Sequence, residues 1–314
     1  MTIVEITLLG TTASIPTSTR NHPAVYLRYV GRNEYYFLFD CGEGTQRQIF
    51  KAKLNFMRID HIFITHWHAD HFSGLFGLLE TMSLEGRKRP LYIYGPEADK
   101  FVRTLLSLGY AKKQFDVIAK PVNYVGSSFE ILFENEELKI GSIPVKHGVP
   151  AVAYAFIEKD RIKLDKKKLK ELGLPVKGRM YKKLKERGEI LYKGKKIKLE
   201  EVSFIEKGKK VVYSGDTKAC TNLIKISKDA DCLIIDSTFF EENPGDWLEG
   251  RHHMNVEEAI RIGEKAGVKR LILTHISRRY PNEKELRKKL SEILRKSSLK
   301  NVEIGRDLMK IVIE

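Results

Sequence analysis

Four segments of this chain end alike: an apolar, strand-like run stops, and residues able to hold a metal ion follow. Ile59–Thr65 runs into His66, His68, Asp70 and His71. Ile143-Pro144-Val145-Lys146 leads to His147. Val211–Tyr213 leads through Ser214 and Gly215 to Asp216, and Arg270–Thr274 ends at His275. In α/β folds, functional groups gather just beyond the carboxyl ends of strands. A lone histidine in such a place is usually a surface cap, but three such ends beside one dense cluster make coincidence a poor account. The cluster, Thr65-His66-Trp67-His68-Ala69-Asp70-His71, packs three imidazoles and a carboxylate into six residues. His66 and His68 project to one side of an extended segment. Asp70 and His71 fall where the chain turns into a helix and can face a second ion. Imidazole nitrogens with carboxylate oxygens suit zinc or a similar first-row ion.

The rest of the pattern predicts an α/β fold. Strand-like runs cover 2–9, 24–30, Tyr35–Phe39, Ile59–Thr65, Leu91–Tyr94, Leu138–Val145, Val152–Ile157, Val211–Tyr213, Cys232–Ile235, Arg270–Thr274 and Val302–Ile313. Helical spacing of apolar residues covers Phe72–Ser83, Val256–Ala266 behind an Asn255 cap, and Glu283–Lys296. Such mixing predicts sheets covered by helices. With 314 residues, 42% apolar and 31% charged, the chain can bury a sizeable core and does not read as disordered. Cys41, Cys220 and Cys232 are odd in number and lack a CxxC spacing. They argue against a disulfide framework and a thiolate metal site. The start, MTIVEITLLG, reads as a first strand and not as a signal peptide, and no run approaches the roughly 18 apolar residues of a membrane span. A cytosolic location is the expectation.

Charge is unevenly spread. Lys and Arg number 56 against 41 Asp and Glu, a net charge of +15. Between Glu158 and Lys210 stand twenty Lys or Arg and nine Asp or Glu, so most of the excess sits in this stretch. Lys166-Lys167-Lys168, the turn residues Gly173-Leu174-Pro175-Val176-Lys177-Gly178, and Arg179 with Lys182-Lys183 predict a basic arm of helix, turn and helix. A polyanionic partner fits it. A Lys-rich thermophilic surface is the plainer reading, and the presence of only three Gln agrees with it.

The His-x-His-x-Asp-His cluster with its distant His, Asp and His resembles the metallo-β-lactamase superfamily. Within it the chain is similar to the tRNase Z (ribonuclease Z) family. The motifs carrying that likeness are Leu9-Gly10-Thr11 with Arg20-Asn21, the run Phe39-Asp40-Cys41-Gly42-Glu43-Gly44-Thr45-Gln46-Arg47-Gln48, and Val145-Lys146-His147-Gly148-Val149-Pro150. Ser214-Gly215-Asp216-Thr217 and Thr274-His275-Ile276-Ser277-Arg278-Arg279-Tyr280 complete them. The resemblance implies one domain over 1–314, a four-layer αβ/βα sandwich, with 158–210 inserted as an arm that grips tRNA, often from the partner subunit of a homodimer. It implies a hydrolase that removes the 3′ trailer of precursor tRNA and leaves a 3′-OH. It implies two zinc ions per subunit, one on His66, His68 and His147, the other on Asp70, His71 and His275, with Asp216 bridging. Asp40 would support the ligands without binding metal, and Asp70 would take a proton from the attacking water.

Two dications would outweigh the carboxylates of Asp70 and Asp216, and such a surplus favours an anionic phosphodiester. A departing ribose 3′-oxygen needs a proton. Asp236, just after the strand Cys232–Ile235, could hold His253 charged as the general acid; in many relatives Glu stands at that position. The plainer reading of His252-His253 is a surface pair ahead of a helix cap, and His22 and His61 read as structural. Two rivals remain open: a small-molecule phosphodiesterase or other hydrolase of the same superfamily, and a non-catalytic RNA-binding protein with a structural metal site.

Overall fold

The strand-like runs lack polar alternation because most are buried on both faces. In Cys232–Asp236, Cys232 and Ile234 pack into one apolar layer, Leu233 and Ile235 into another. Val152, Tyr154 and Phe156 separate from Ala153 and Ala155 in the same way. The computed structural model describes residues 2–109, 113–175, 179–240 and 252–314. The chain divides into two units, Met1–Ile157 with Lys209–Glu314, and Glu158–Gly208.

The larger unit holds two seven-stranded sheets. The first contains β1 (Ile3–Gly10), β2 (Ala24–Val30), β3 (Glu34–Phe39), β4 (His61–Phe63), β5 (Leu91–Gly95), β6 (Val117–Pro121) and β18 (Lys310–Ile313), in the order β18-β1-β2-β3-β4-β5-β6. The second contains β7 (Glu130–Glu134), β8 (Leu138–Pro144), β9 (Val152–Glu158), β14 (Lys210–Tyr213), β15 (Cys232–Asp236), β16 (Leu271–Thr274) and β17 (Val302–Ile304), in the order β17-β16-β15-β14-β9-β8-β7. Strands β3 to β6 pair in parallel, as do β14 to β17, so their carboxyl ends gather along common edges. A shared core of Val4, Ile6, Phe37, Phe39 and Phe63 with Tyr154, Phe156, Tyr213 and Ile234 lies between the sheets. Helices α1 (Thr45–Lys51), α3 (Leu75–Leu84) and α4 (Ala98–Leu106) cover the outer face of the first sheet through Ile49, Leu78, Met82 and Val102. Helices α7 (Thr221–Ser227), α8 (Val256–Ala266) and α9 (Glu283–Leu294) cover that of the second through Leu223, Ile260 and Leu286. This is the expected four-layer arrangement.

Two expected elements are divided. Val302–Ile313 is not one strand: β17 and β18 belong to different sheets, and residues 305–309 carry the chain between them. Phe72–Ser83 is not one helix either. A short turn, α2 (Ala69–Phe72), precedes α3, and the break falls at Ser73-Gly74. There the N–H of Gly74 donates to the Cys41 carbonyl at 2.9 Å, and a Cβ at Gly74 would overlap the carbonyl of Gly42. Strands β6 and β7 and helices α1, α4 and α7 went unread in the sequence.

The smaller unit is more than helix, turn and helix. Besides α5 (Lys166–Glu171) and α6 (Arg179–Arg187) it holds β10 (Arg161–Leu164) paired with β13 (Ser203–Glu206), and the hairpin of β11 (Glu189–Tyr192) and β12 (Lys195–Lys198). Leu169, Leu174, Leu184, Ile197 and Val202 form its own small core. Asp165 caps α5 by accepting from the N–H groups of Lys167 and Lys168. Lys166, Lys167, Lys168, Lys182 and Lys183 are exposed, so each helix turns leucine inward and ammonium groups outward. Lys177 lies outside the described residues, as does the side chain of Arg179. No helix among the described residues is long and apolar enough to cross a membrane.

Candidate metal centre

Every candidate ligand sits where a strand has just ended. His66 and His68 follow β4, and His68 occupies the cap position of α2, which carries Asp70 and His71. His147 follows β8, Asp216 follows β14, and His275 follows β16. Two of these ends use left-handed backbone that non-glycine residues avoid: Asp40, directly after β3, has φ 54°, and His275 has φ 58°. Gly215, at φ 57°, has no such penalty, and a Cβ there would stand 2.6 Å from the Thr65 side chain. Only glycine lets Asp216 approach the His66 segment so closely.

The donor atoms converge in two groups. Those of His66, His68 and His147 lie within 4.8 Å of one another, and so do those of Asp70, His71, Asp216 and His275. Asp216 stands between the groups, its Oδ2 3.7 Å from His66 Nε2, 3.2 Å from His71 Nε2 and 3.3 Å from His275 Nε2. Asp70 Oδ2 is 3.6 Å from both His71 Nε2 and His275 Nε2.

Hydrogen bonds on the far side of each ring fix which nitrogen faces inward. His71 Nδ1 donates to Asp40 Oδ2 at 2.7 Å, and His147 Nδ1 donates to the His252 carbonyl at 3.1 Å. Thr238 donates its hydroxyl to Asp236 Oδ1, which leaves its oxygen to accept from His275 Nδ1 at 2.8 Å. Thr65 likewise donates to Asp40 and stands 3.1 Å from His66 Nδ1. Nε2 of all four rings is left pointing inward. His68 presents Nδ1 instead, 3.0 Å from His66 Nε2 and 3.2 Å from His147 Nε2. The Nε2 atoms of His71 and His275 and the Oδ1 of Asp216 are buried without a directed hydrogen bond. Buried polar atoms are seldom left so, and all three belong to residues of one ligand group, Asp70, His71, Asp216 and His275, which a cation would satisfy.

Charge agrees with that reading. Burial holds His66 well below the ordinary histidine range, lowers His68, and brings His147 to about 4. These rings are therefore neutral and offer lone pairs, as ligation requires. His71 moves the other way. Burial opposes its charge, but Asp216 and Asp40 on either side outweigh burial and raise it well above the usual range. A proton there answers the same carboxylates that a metal ion would.

Asp40 is fully buried behind the ligands and takes four hydrogen bonds, from the Thr65 N–H (2.8 Å) and hydroxyl (3.0 Å), His71 (2.7 Å) and the Tyr213 hydroxyl (2.8 Å). Asp236 stands beside the second group. Its Oδ2 accepts from His253 Nδ1 at 2.9 Å and the Thr217 N–H at 3.1 Å, and its Oδ1 from Thr238. The shorter aspartate reaches His253 without difficulty. Burial would lower His253, but Asp236 overrides it and lifts the ring to about 9. His253 also stacks on His275, with centroids 5.1 Å apart.

A family model described as Anti-Pycsar protein Apyc1 matches residues 4–164, and one described as beta-lactamase superfamily domain matches 200–276. A ribonuclease Z of Archaeoglobus fulgidus is 41% identical over 281 residues, 88% of this chain and 89% of that protein. One from Pyrococcus horikoshii is 39% identical over 99% of this chain and 97% of its own length. The chain belongs to the ribonuclease Z family. The crystal structure of human tRNase Z, short form, superposes with a TM-score of 0.69 at 26% identity, covering 98% of each chain. The two-sheet unit is thus the metallo-β-lactamase fold implied by the resemblance.

Sequence reasoning missed the groups that aim the candidate ligands or their partner Asp40: Thr65, Tyr213, Thr238 and the carbonyl of His252. Thr65 adjoins His66 and Thr238 is two residues from Asp236, so position alone could have flagged them; Tyr213 and the His252 carbonyl carry no such signal. His61 lies against Phe37, Tyr92, Tyr94 and Phe133, and burial brings it down to about 4. It packs in an aromatic cluster.

Proposed function

We propose that this chain is a metal-dependent endoribonuclease that removes the 3′ trailer of precursor tRNA and leaves a 3′-OH. The observation carrying this reading is Asp216 set between two ligand groups, with the Asp236–His253 pair beside it. His66, His68 and His147 would hold one ion, and Asp70, His71 and His275 the other, with Asp216 shared. Two divalent ions, zinc or another first-row metal, would offset phosphate charge and lower the pKa of the attacking water. Asp70 takes up the proton that water loses. His253, oriented by Asp236 through Nδ1, gives a proton to the departing ribose 3′-oxygen. Asp40 keeps His71 turned inward. Asp40→Asn should weaken metal binding about 10–100-fold, the usual effect of altering a ligand's outer partner. Competition against a chromophoric chelator measures it, and unchanged affinity would remove Asp40 from the account.

The basic unit supplies the grip on RNA. Exposed lysines on α5 and α6 reach phosphates without reading bases, so binding should fall steeply with salt. Removing residues 163–198 should abolish precursor-tRNA binding in a gel-shift assay while metal content and hydrolysis of an aryl phosphodiester persist. Binding that survives the deletion contradicts this role. A homodimer belongs to the same reading and is checked by the mass of the protein in solution. A superfamily enzyme of small phosphodiesters would need the two-sheet unit alone and would lose nothing on its substrate when the basic unit is removed.

A further inference from the structure

One loop outside the ligand set touches the centre. Between Thr11 and His22 the chain leaves β1 and returns to β2, and its base is tied down firmly. Arg20 Nη1 donates to Thr11 Oγ1 at 2.6 Å and to the Gly305 carbonyl at 2.7 Å, and the Asn21 N–H donates to Asp307 at 2.7 Å. The Ala13 N–H donates at 3.0 Å to the carbonyl of Ile276, the neighbour of His275.

The contact itself is made by Ser14. This exposed residue has φ 49°, a left-handed conformation in which its N–H donates to Asp70 Oδ2 at 3.1 Å. Its carbonyl stands 3.1 Å from His22 Nε2. A carbonyl can only accept, so the proton of His22 is on Nε2. The other ring nitrogen, Nδ1, is buried without a hydrogen-bond partner. An unmatched buried nitrogen is costly, so simple packing does not explain an imidazole here. The bond to Ser14 does. Gly42 makes the meeting possible, because a Cβ on it would overlap both His22 and the Asp70 carbonyl.

We propose that His22 is a positioning residue for Asp70: it holds Ser14 in left-handed backbone, so that the Ser14 N–H fixes the Asp70 carboxylate toward His71 and His275. This rests on the reading that Asp70 belongs to the second metal group. His22→Leu removes the donor, whereas His22→Gln retains an N–H. Ser14→Val makes the left-handed backbone unfavourable at an exposed position, whereas Ser14→Gly tolerates it.

The test is titration of cobalt(II) into the metal-stripped full-length protein, followed by visible absorption, with kcat and KM on precursor tRNA measured in parallel. His22→Leu and Ser14→Val should bind the second cobalt equivalent about 10–100-fold more weakly and the first as the parent does. Their kcat should fall at a KM close to the parent value. His22→Gln and Ser14→Gly should stay near the parent in both measurements. Two equivalents bound with parental affinity by His22→Leu and Ser14→Val, or a change confined to KM, overturns the proposal. A parent that takes up only one equivalent overturns the two-ion reading, and this inference with it.

Discussion

Asp216→Ala is expected to abolish precursor-tRNA cleavage and to strip metal from both groups at once. Its Oδ2 is 3.7 Å or less from inward-facing nitrogens of His66, His71 and His275, which belong to different groups. Removing it should therefore cost more than the roughly 10–100-fold typical of an outer partner. Metal analysis of the purified variant and a cleavage assay check this together, with a far-UV circular dichroism spectrum to show that the fold persists. A variant that retains two ions per chain would show that Asp216 does not join the groups.

The second large effect separates chemistry from binding. His253→Ala should slow cleavage of precursor tRNA by about 10²–10⁴-fold, the range of a lost general acid. It should barely slow hydrolysis of bis(p-nitrophenyl) phosphate, whose leaving group departs without a proton. The contrast follows from placement: Asp236 engages Nδ1 of His253, which leaves Nε2 to donate. Because His253 stacks on His275, a purely structural role would disturb the metal centre and slow both substrates alike. Equal loss on both would therefore remove the general-acid role.

Much of this centre could be read from the chain because ligands at strand ends leave a local signature, an apolar run followed by His or Asp. Both-face burial made the runs around Val152, Cys232 and Leu271 conspicuous, and the Asn255 cap marked the start of α8. What escaped depends on contacts between distant segments. The run Val302–Ile313 looks continuous, yet Asp307 is fastened by Asn21 and Gln48 in the turn that sends its halves to separate sheets. Phe72–Ser83 has helical spacing throughout, yet Gly74 lies against Cys41 and Gly42. Charge dominated the reading of residues 158–210 and hid the hairpin and core of Leu169, Leu184 and Ile197. The bond between His22 and Ser14 likewise crosses a loop that no periodicity marks.

Whether the chain cleaves precursor tRNA is measured by incubating the purified protein with a labelled precursor tRNA that carries a 3′ trailer, beside Asp216→Ala and a chelator-treated control. The expected result is one cut at the end of the acceptor stem, a 3′-OH on the tRNA, and no cleavage in either control. A precursor that stays intact while the same preparation hydrolyses bis(p-nitrophenyl) phosphate would contradict it.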